Sequence, residues 1–200
     1  MSGNRPPPIA VKKLEEETYK NAAAAAGLVF KVFLAGPFIE TTGKKPGSGE
    51  KNKAKRLRFD LYHRLGDIGW VVTMGEYDKL VSATHALLGK RNTASSSEII
   101  HARQHADAVV MLPSSPGSFL ELGAFALYPD ICSKMLIIVD KKHELDPPNY
   151  LKLGPLISSQ HNGAKLLYLD YGSTEDCWAV VKEFVDDQGN RVAERKLLSP

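Results

Sequence analysis

Asp107-Ala-Val-Val-Met-Leu-Pro113 runs directly into Ser114-Ser-Pro-Gly-Ser-Phe-Leu-Glu-Leu-Gly-Ala-Phe125. A short apolar run meets a turn of serine, proline and glycine, and an apolar segment carrying one carboxylate follows. Short, continuously apolar runs are how strands buried on both faces of a parallel sheet read. In open parallel sheets, ligands bind in the crevice at the carboxyl ends of the strands. The turn therefore sets Ser115, Ser118 and Glu121 where a function is to be sought.

Working outward, Val29-Phe-Lys-Val-Phe-Leu-Ala35 is rich in β-branched and aromatic residues and ends at Gly36-Pro37, which reads as a first strand closed by a turn. From 50 to 65, Leu57, Leu61 and Leu65 recur every four residues with Phe59 and Tyr62 beside them, and an amphipathic helix ended by Gly66 and Gly69 is predicted. Trp70-Val-Val-Thr-Met74 is a second buried strand; a helix around 78–88 and a polar break at 91–97 follow. Ser95 and Glu98 stand three apart before Ile99 and Ile100, a capping-box signature for a helix to about residue 105. The run 107–112 is the third strand, and a helix over 118–127 is stopped at Pro129. Met135-Leu-Ile-Ile-Val139 and Lys165-Leu-Leu-Tyr-Leu169 are further strands, separated by an irregular stretch with a weak helix after Asp146-Pro-Pro-Asn149. Ser173 and Asp176 open a last helix with Trp178, Val181, Phe184 and Val185 on its apolar side.

Five short strands alternating with helices predict an α/β chain, a three-layer sandwich around a mostly parallel five-stranded sheet. Residues 1–27, Pro-rich and then Ala/Glu/Lys-rich, read as an arm with a short helix; 28–187 form one domain; 188–200, polar throughout, read as a trailing tail.

The 200 residues suffice for a single core without staples, and 24% charged with 43% hydrophobic residues is the balance of a globular chain. No apolar stretch is long enough to span a membrane, and the N-terminus lacks the apolar centre of a signal peptide, so a cytoplasmic protein with no membrane partner is expected. Cys132 and Cys177 fall in no disulfide or zinc pattern and read as reduced core residues. A net charge of +3 does not announce a nucleic-acid binder, yet between 44 and 58 seven basic residues face one acid, Glu50. A solvated helix face accounts for that block, and attraction of a phosphorylated ligand or nucleic-acid backbone is the alternative.

Spacing leaves Glu121 with two roles. Ser118-x-x-Glu121 has capping-box spacing, which would tie the glutamate to its own helix start. The turn Ser114-Ser-Pro-Gly117 also leaves room for a ligand at a positive helix end, where a phosphate would lie on Ser115, Gly117 and Ser118 and a sugar over Glu121. Gly123, costly in a helix, is explained by a close backbone or ligand approach. Glu98 is a second carboxylate, a helix cap or the partner of Glu121 in dividing attack and proton transfer. Gly36 and Pro37 end the first strand at the same edge. His101 and His105, four apart, lack a third ligand and read as a solvated face; no metal site is expected. The lysines and glycines at 43–51 fail the spacing of a phosphate loop.

Phe33-Leu-Ala-Gly-Pro37, Glu98-Ile-Ile100 leading into Ala106-Asp-Ala-Val-Val110, and above all Ser115-Pro-Gly-Ser-Phe-Leu-Glu-Leu-Gly-Ala-Phe125 resemble the nucleoside 2-deoxyribosyltransferase-like superfamily, in particular the antiviral N-glycosidase effectors associated with retrons. The likeness runs from about residue 29 to 156. It implies a flavodoxin-like, Rossmannoid fold for 28–187 and an N-glycosidase in which Glu121 acts at the anomeric carbon of a nucleoside or nucleotide. In the transferases an aspartate stands six residues before that glutamate. Here the position is Ser115, as in the related nucleoside 5′-monophosphate hydrolases, where a serine contacts the 5′-phosphate.

The resemblance therefore implies a hydrolase that cleaves the N-glycosidic bond of a nucleotide or of NAD without a cofactor and acts as a toxic effector in anti-phage defence. It further implies a homo-oligomer and a retron reverse transcriptase with its msDNA, or another defence component, as partner. The alternatives are a non-catalytic Rossmannoid nucleotide sensor that signals to a partner protein, and a nucleic-acid adaptor built on the basic block.

Overall fold

The structure is a computed structural model that describes residues 23–24, 26–47, 49–75, 89 and 93–198. Most of the N-terminal arm and the helix expected at 78–88 lie outside these residues. Five strands, β1 (Lys31–Ala35), β2 (Val71–Thr73), β3 (Ala108–Met111), β4 (Met135–Asp140) and β5 (Lys165–Leu169), form one sheet in the order β2-β1-β3-β4-β5. Every neighbouring pair is parallel, with Val32 opposite Val72 and Ala108, Val109 opposite Met135, and Leu136 opposite Lys165. Helices cover both faces, so the chain is the three-layer α/β sandwich that the strand pattern predicts, of flavodoxin-like order.

Alternation along each strand divides the interior in two. Val32, Leu34, Val110, Leu136 and Ile138 face one layer; Phe33, Ala35, Val109, Met111, Ile137 and Val139 face the other. The first layer is closed by α1 (Lys53–Asp67), whose Leu57, Leu61 and Leu65 form the expected stripe, and by the long C-terminal helix. The second is closed by α2 (Ala94–Gln104), α3 (Pro116–Phe125), the short α4 (Pro129–Cys132), and a π turn (Lys152–Leu156) that continues into α5 (Ile157–His161). Cys132 and Cys177 are free thiols, one in each layer, as expected of core residues. No helix among the described residues is long and apolar enough to cross a membrane.

The tail is a correction. The last helix, α6, spans Thr174–Leu198 and buries Gln188, Gly189 and Val192. The polar reading of 188–200 missed it because only one large apolar residue per two turns reaches the core, while Arg191 and Asp187 pair on the solvent side at 2.9 Å. One buried valine is enough to hold those turns down when the strand beneath is already formed.

The connection from β1 leads to β2 on one side, and the chain then returns to β3 on the other. The sheet therefore reverses its order between β1 and β3, and the crevice outside their carboxyl ends is where such sheets hold ligands.

Two substitutions test the helical tail. Val192→Ala removes side-chain volume from a residue that is 2% exposed and lowers stability by about 1.5–3 kcal/mol in urea unfolding, whereas Arg191→Ala changes it by less than about 0.5 kcal/mol. Equal, negligible effects would restore the trailing tail.

Candidate active site

The crevice begins with the end of β1. After Ala35 the chain turns at Gly36, whose φ of 156° L side chains rarely adopt and where a Cβ would stand a tight 3.2 Å from that of Leu112 at the end of β3, so glycine is favoured where the two strand ends meet. The carbonyls released there are taken by Arg58 of α1, a side chain without solvent exposure. Its Nε and Nη2 donate to Leu34 O at 3.2 and 2.6 Å, and its Nη1 donates to Gly36 O at 3.1 Å and Pro37 O at 2.8 Å. Pro37 itself is buried, and of the expected pair only Gly36 lines the cleft.

The two helices flanking the crevice are capped two and three residues earlier than the sequence suggested. For α3 the N-cap is Ser115: its Oγ accepts from Ser118 N at 3.3 Å, and Ser118 Oγ accepts from Ser114 N and Ser115 N, both at 2.9 Å. For α2 the N-cap is Thr93, with Ser96 answering it: Thr93 Oγ1 accepts from Ser96 N at 3.1 Å and Ser96 Oγ from Thr93 N at 2.8 Å. Serine fills the position that the capping-box rule gives to glutamate. Neither Ser95-x-x-Glu98 nor Ser118-x-x-Glu121 is the box, and both glutamates lie a turn further along their helices with their carboxylates directed elsewhere.

They converge on Gly75, which follows β2. A Cβ on this residue would stand 2.2 Å from Glu98 Oε1 and 3.2 Å from Glu121 Oε1. Two oxygens at those distances from one point are separated by no more than the two laid end to end. The carboxylates form one wall of a cleft of about 380 Å³ lined also by Gly36, Phe38, Ser115, Gly117 and Leu120. Glu121 Oε2 is shut off from solvent. Gly117 meets nothing within 4 Å of a would-be Cβ and keeps the mouth open. Ser118, 1% exposed, shapes the turn from inside it; Ser115 and Gly117 remain at the rim. Gly75 was missed in the sequence because a lone glycine before a polar stretch carries no pattern.

Other expectations fall away. Gly123 has open space around it, so no close approach of the protein's own backbone explains it. His101 is half-buried rather than solvated: its Nε2 shares a hydrogen bond of 2.7 Å with Thr73 Oγ1 at the end of β2, and its ring lies 5.8 Å from that of Phe33. Burial first, and then His105, Lys31 and Lys134, push its pKa down to about 4. Among the described residues no three His, Cys, Asp or Glu side chains are grouped to hold a metal. The basic block is not one solvated face: Arg58 is interior, and Lys45, Lys53 and Lys55 pair with Asp60, Asp170 and Glu50.

A family model described as STM3845 retron effector protein matches residues 94–199 of this chain. The matched segment opens at α2 and includes Glu98, Ser115, Gly117 and Glu121. No match is found among curated proteins.

Replacing Arg58 with leucine leaves buried carbonyls without donors, at about 1–3 kcal/mol each. Arg58→Leu is expected to lower the unfolding free energy by about 3 kcal/mol or more in urea titration, and Arg58→Lys to recover little of it because an ammonium lacks the fork. Recovery by lysine would show that charge alone matters. His101 gives a pH signature. A histidine whose folded pKa lies below the ordinary 6.5 leaves the unfolded chain binding more protons, so stability is full above that value and declines as pH falls toward about 4. The pH slope of the unfolding midpoint across that window should flatten in His101→Gln; an unchanged slope would remove the histidine from the account.

Proposed function

The chain belongs to the STM3845 retron effector protein family, and from that premise we propose that it is the toxic effector of an anti-phage system, an N-glycosidase that hydrolyses the bond between base and sugar in a nucleotide or NAD. The observation that carries the reading is the convergence of Glu98 and Glu121 beside Gly75. Carboxyl groups of retaining glycosidases stand about 5–5.5 Å apart, whereas inverting ones stand about 6.5–9.5 Å apart to admit a water between them. The two Oε1 atoms can stand no farther apart than those two distances laid end to end, short of the inverting spacing, which supports the retaining course.

The steps follow from that spacing. Glu121 attacks the anomeric carbon, the N-glycosidic bond breaks, and its electron pair leaves with the base nitrogen, which takes a proton from Glu98. Water then gives a proton to the Glu98 carboxylate as its oxygen attacks the same carbon and releases Glu121. The sum is nucleotide plus water to free base plus sugar phosphate; with NAD, whose nicotinamide nitrogen already carries the positive charge, the base leaves without taking a proton and the sum is NAD plus water to nicotinamide, ADP-ribose and a proton. The substrate's phosphate lies against Ser115 and Gly117 at the positive end of α3, and Phe38, 64% exposed at the rim, offers a ring for the base.

The test is incubation of the full chain, alone and with the products of neighbouring genes, with a panel of nucleotides and NAD, while free base is followed by chromatography. Release by the wild type, cut by about 10²–10⁴-fold in Glu121→Gln and in Glu98→Gln, is the expected result. Gly75→Ala, which pushes the Glu98 carboxylate aside, should lower turnover while leaving the fold intact. No release from any member of the panel, or equal release by Glu121→Gln, overturns the reading. Nucleotide binding without turnover, indifferent to the charge at 121, would point instead to a sensor.

A further inference from the structure

Residues 113–121 serve two pockets. Ser115, Gly117, Ser118, Leu120 and Glu121 face the glutamate cleft; Pro113, Ser114 and Phe119 face a second cavity of about 790 Å³ on the β4–β5 side of the same sheet edge. Nothing in the glycosidase reading uses this second cavity. Its volume lies in the range of small-molecule sites, about 300–1,000 Å³, so it is large enough for a nucleotide.

Its chemistry is cationic. Lys51, Lys53, Lys141 and Lys142 line it. The acids on its wall are already occupied: Asp170 accepts from Lys53 Nζ at 3.1 Å and from Gly172 N at 2.8 Å, and Asp140 pairs with Lys142 Nζ at 3.2 Å. Lys51 and Lys141 make no ion pair among the described residues, so the cavity keeps an excess of positive charge. The start of α1, a helix of 15 residues, adds its partial positive charge through Asn52 and Lys53, which also line the cavity. Phe119, 39% exposed, supplies a ring against which a base could stack.

We propose that this cavity is a second ligand site, which holds the phosphate chain of a nucleoside polyphosphate between Lys51, Lys141 and the start of α1. The site is separate from the glutamate cleft and stands whether or not that cleft hydrolyses nucleotides.

Calorimetry on the full chain with ADP and with inorganic pyrophosphate tests it. The wild type should bind both, and Lys51→Gln with Lys141→Gln should weaken each by about tenfold or more, as expected for lost charge-assisted bonds. Lys51→Arg with Lys141→Arg should stay within about threefold of the wild type. Pyrophosphate, which has no sugar for the glutamate cleft to hold, should bind Glu121→Gln as it binds the wild type. The proposal is overturned if the wild type takes up neither probe at millimolar concentration, if the glutamine pair binds as well as the wild type, or if Glu121→Gln weakens pyrophosphate binding as much as the lysine changes do. It is equally overturned if a single-stranded oligonucleotide binds through these lysines while ADP and pyrophosphate do not. Base release assayed separately on the glutamine pair keeps a failure here distinct from a failure of the glycosidase reading.

Discussion

The guanidinium of Arg58 spans the carbonyls of Leu34, Gly36 and Pro37 from inside the fold, and the crevice at the ends of β1 and β3 depends on that contact. A strand end inside a parallel sheet leaves carbonyls that no neighbour accepts responsibility for, and in an apolar interior each is costly. Burying a charge is itself costly by several kcal/mol, so an arginine here is sustained only because its fork reaches several acceptors at once. The consequence is positional. With the turn after β1 pinned to α1, Gly36 can lie against Leu112, and the ends of β1 and β3 form a fixed floor beneath the glutamates.

On that floor the two flanking helices solve the same problem in the same way. Each opens with a hydroxyl cap answered by a serine three residues later, Thr93 by Ser96 and Ser115 by Ser118. A short side chain at the third helical position satisfies the backbone without reaching out of the turn. The long carboxylates of Glu98 and Glu121 are thereby left to meet across the crevice rather than to close their own helices. Gly75 completes the arrangement by omission, since any side chain there would occupy the space that the Glu98 carboxylate fills.

The strand pattern and the 57–61–65 stripe made the layers of the sandwich legible, because burial on both faces imposes continuous apolar runs and burial on one imposes helical spacing. The crevice was legible in the turn after β3 for the same topological reason. What sequence could not separate was capping box from catalyst: Ser-x-x-Glu matches one rule, and only the backbone shows that the box is displaced by three residues toward the N-terminus, to Ser115 and Ser118. Arg58 was hidden in a run of lysines whose other members are partly or wholly solvated, and periodicity cannot tell the one cation that turns inward. The helix to Leu198 was hidden because a face narrowed to Gln188, Gly189 and Val192 carries too little apolar signal to register against seven charged or polar neighbours on the same turns.

The ridge between the two cavities separates opposite charges along one sheet edge. On the β2 side the cleft presents two carboxylates and an anion-favouring helix start; on the β5 side the cavity presents lysines whose excess is not consumed by Asp140 and Asp170. In the proposed reading the first would stabilise an electron-deficient sugar carbon and the second would hold phosphate, which would give one edge complementary surfaces for the two ends of nucleotide chemistry. Residues only one position apart, Ser114 and Ser115, fall on different sides, because the extended backbone at the Ser115 cap points successive side chains in opposite directions. The cap that frees Glu121 thus also divides the edge, and a change to its backbone geometry would be felt in both cavities at once.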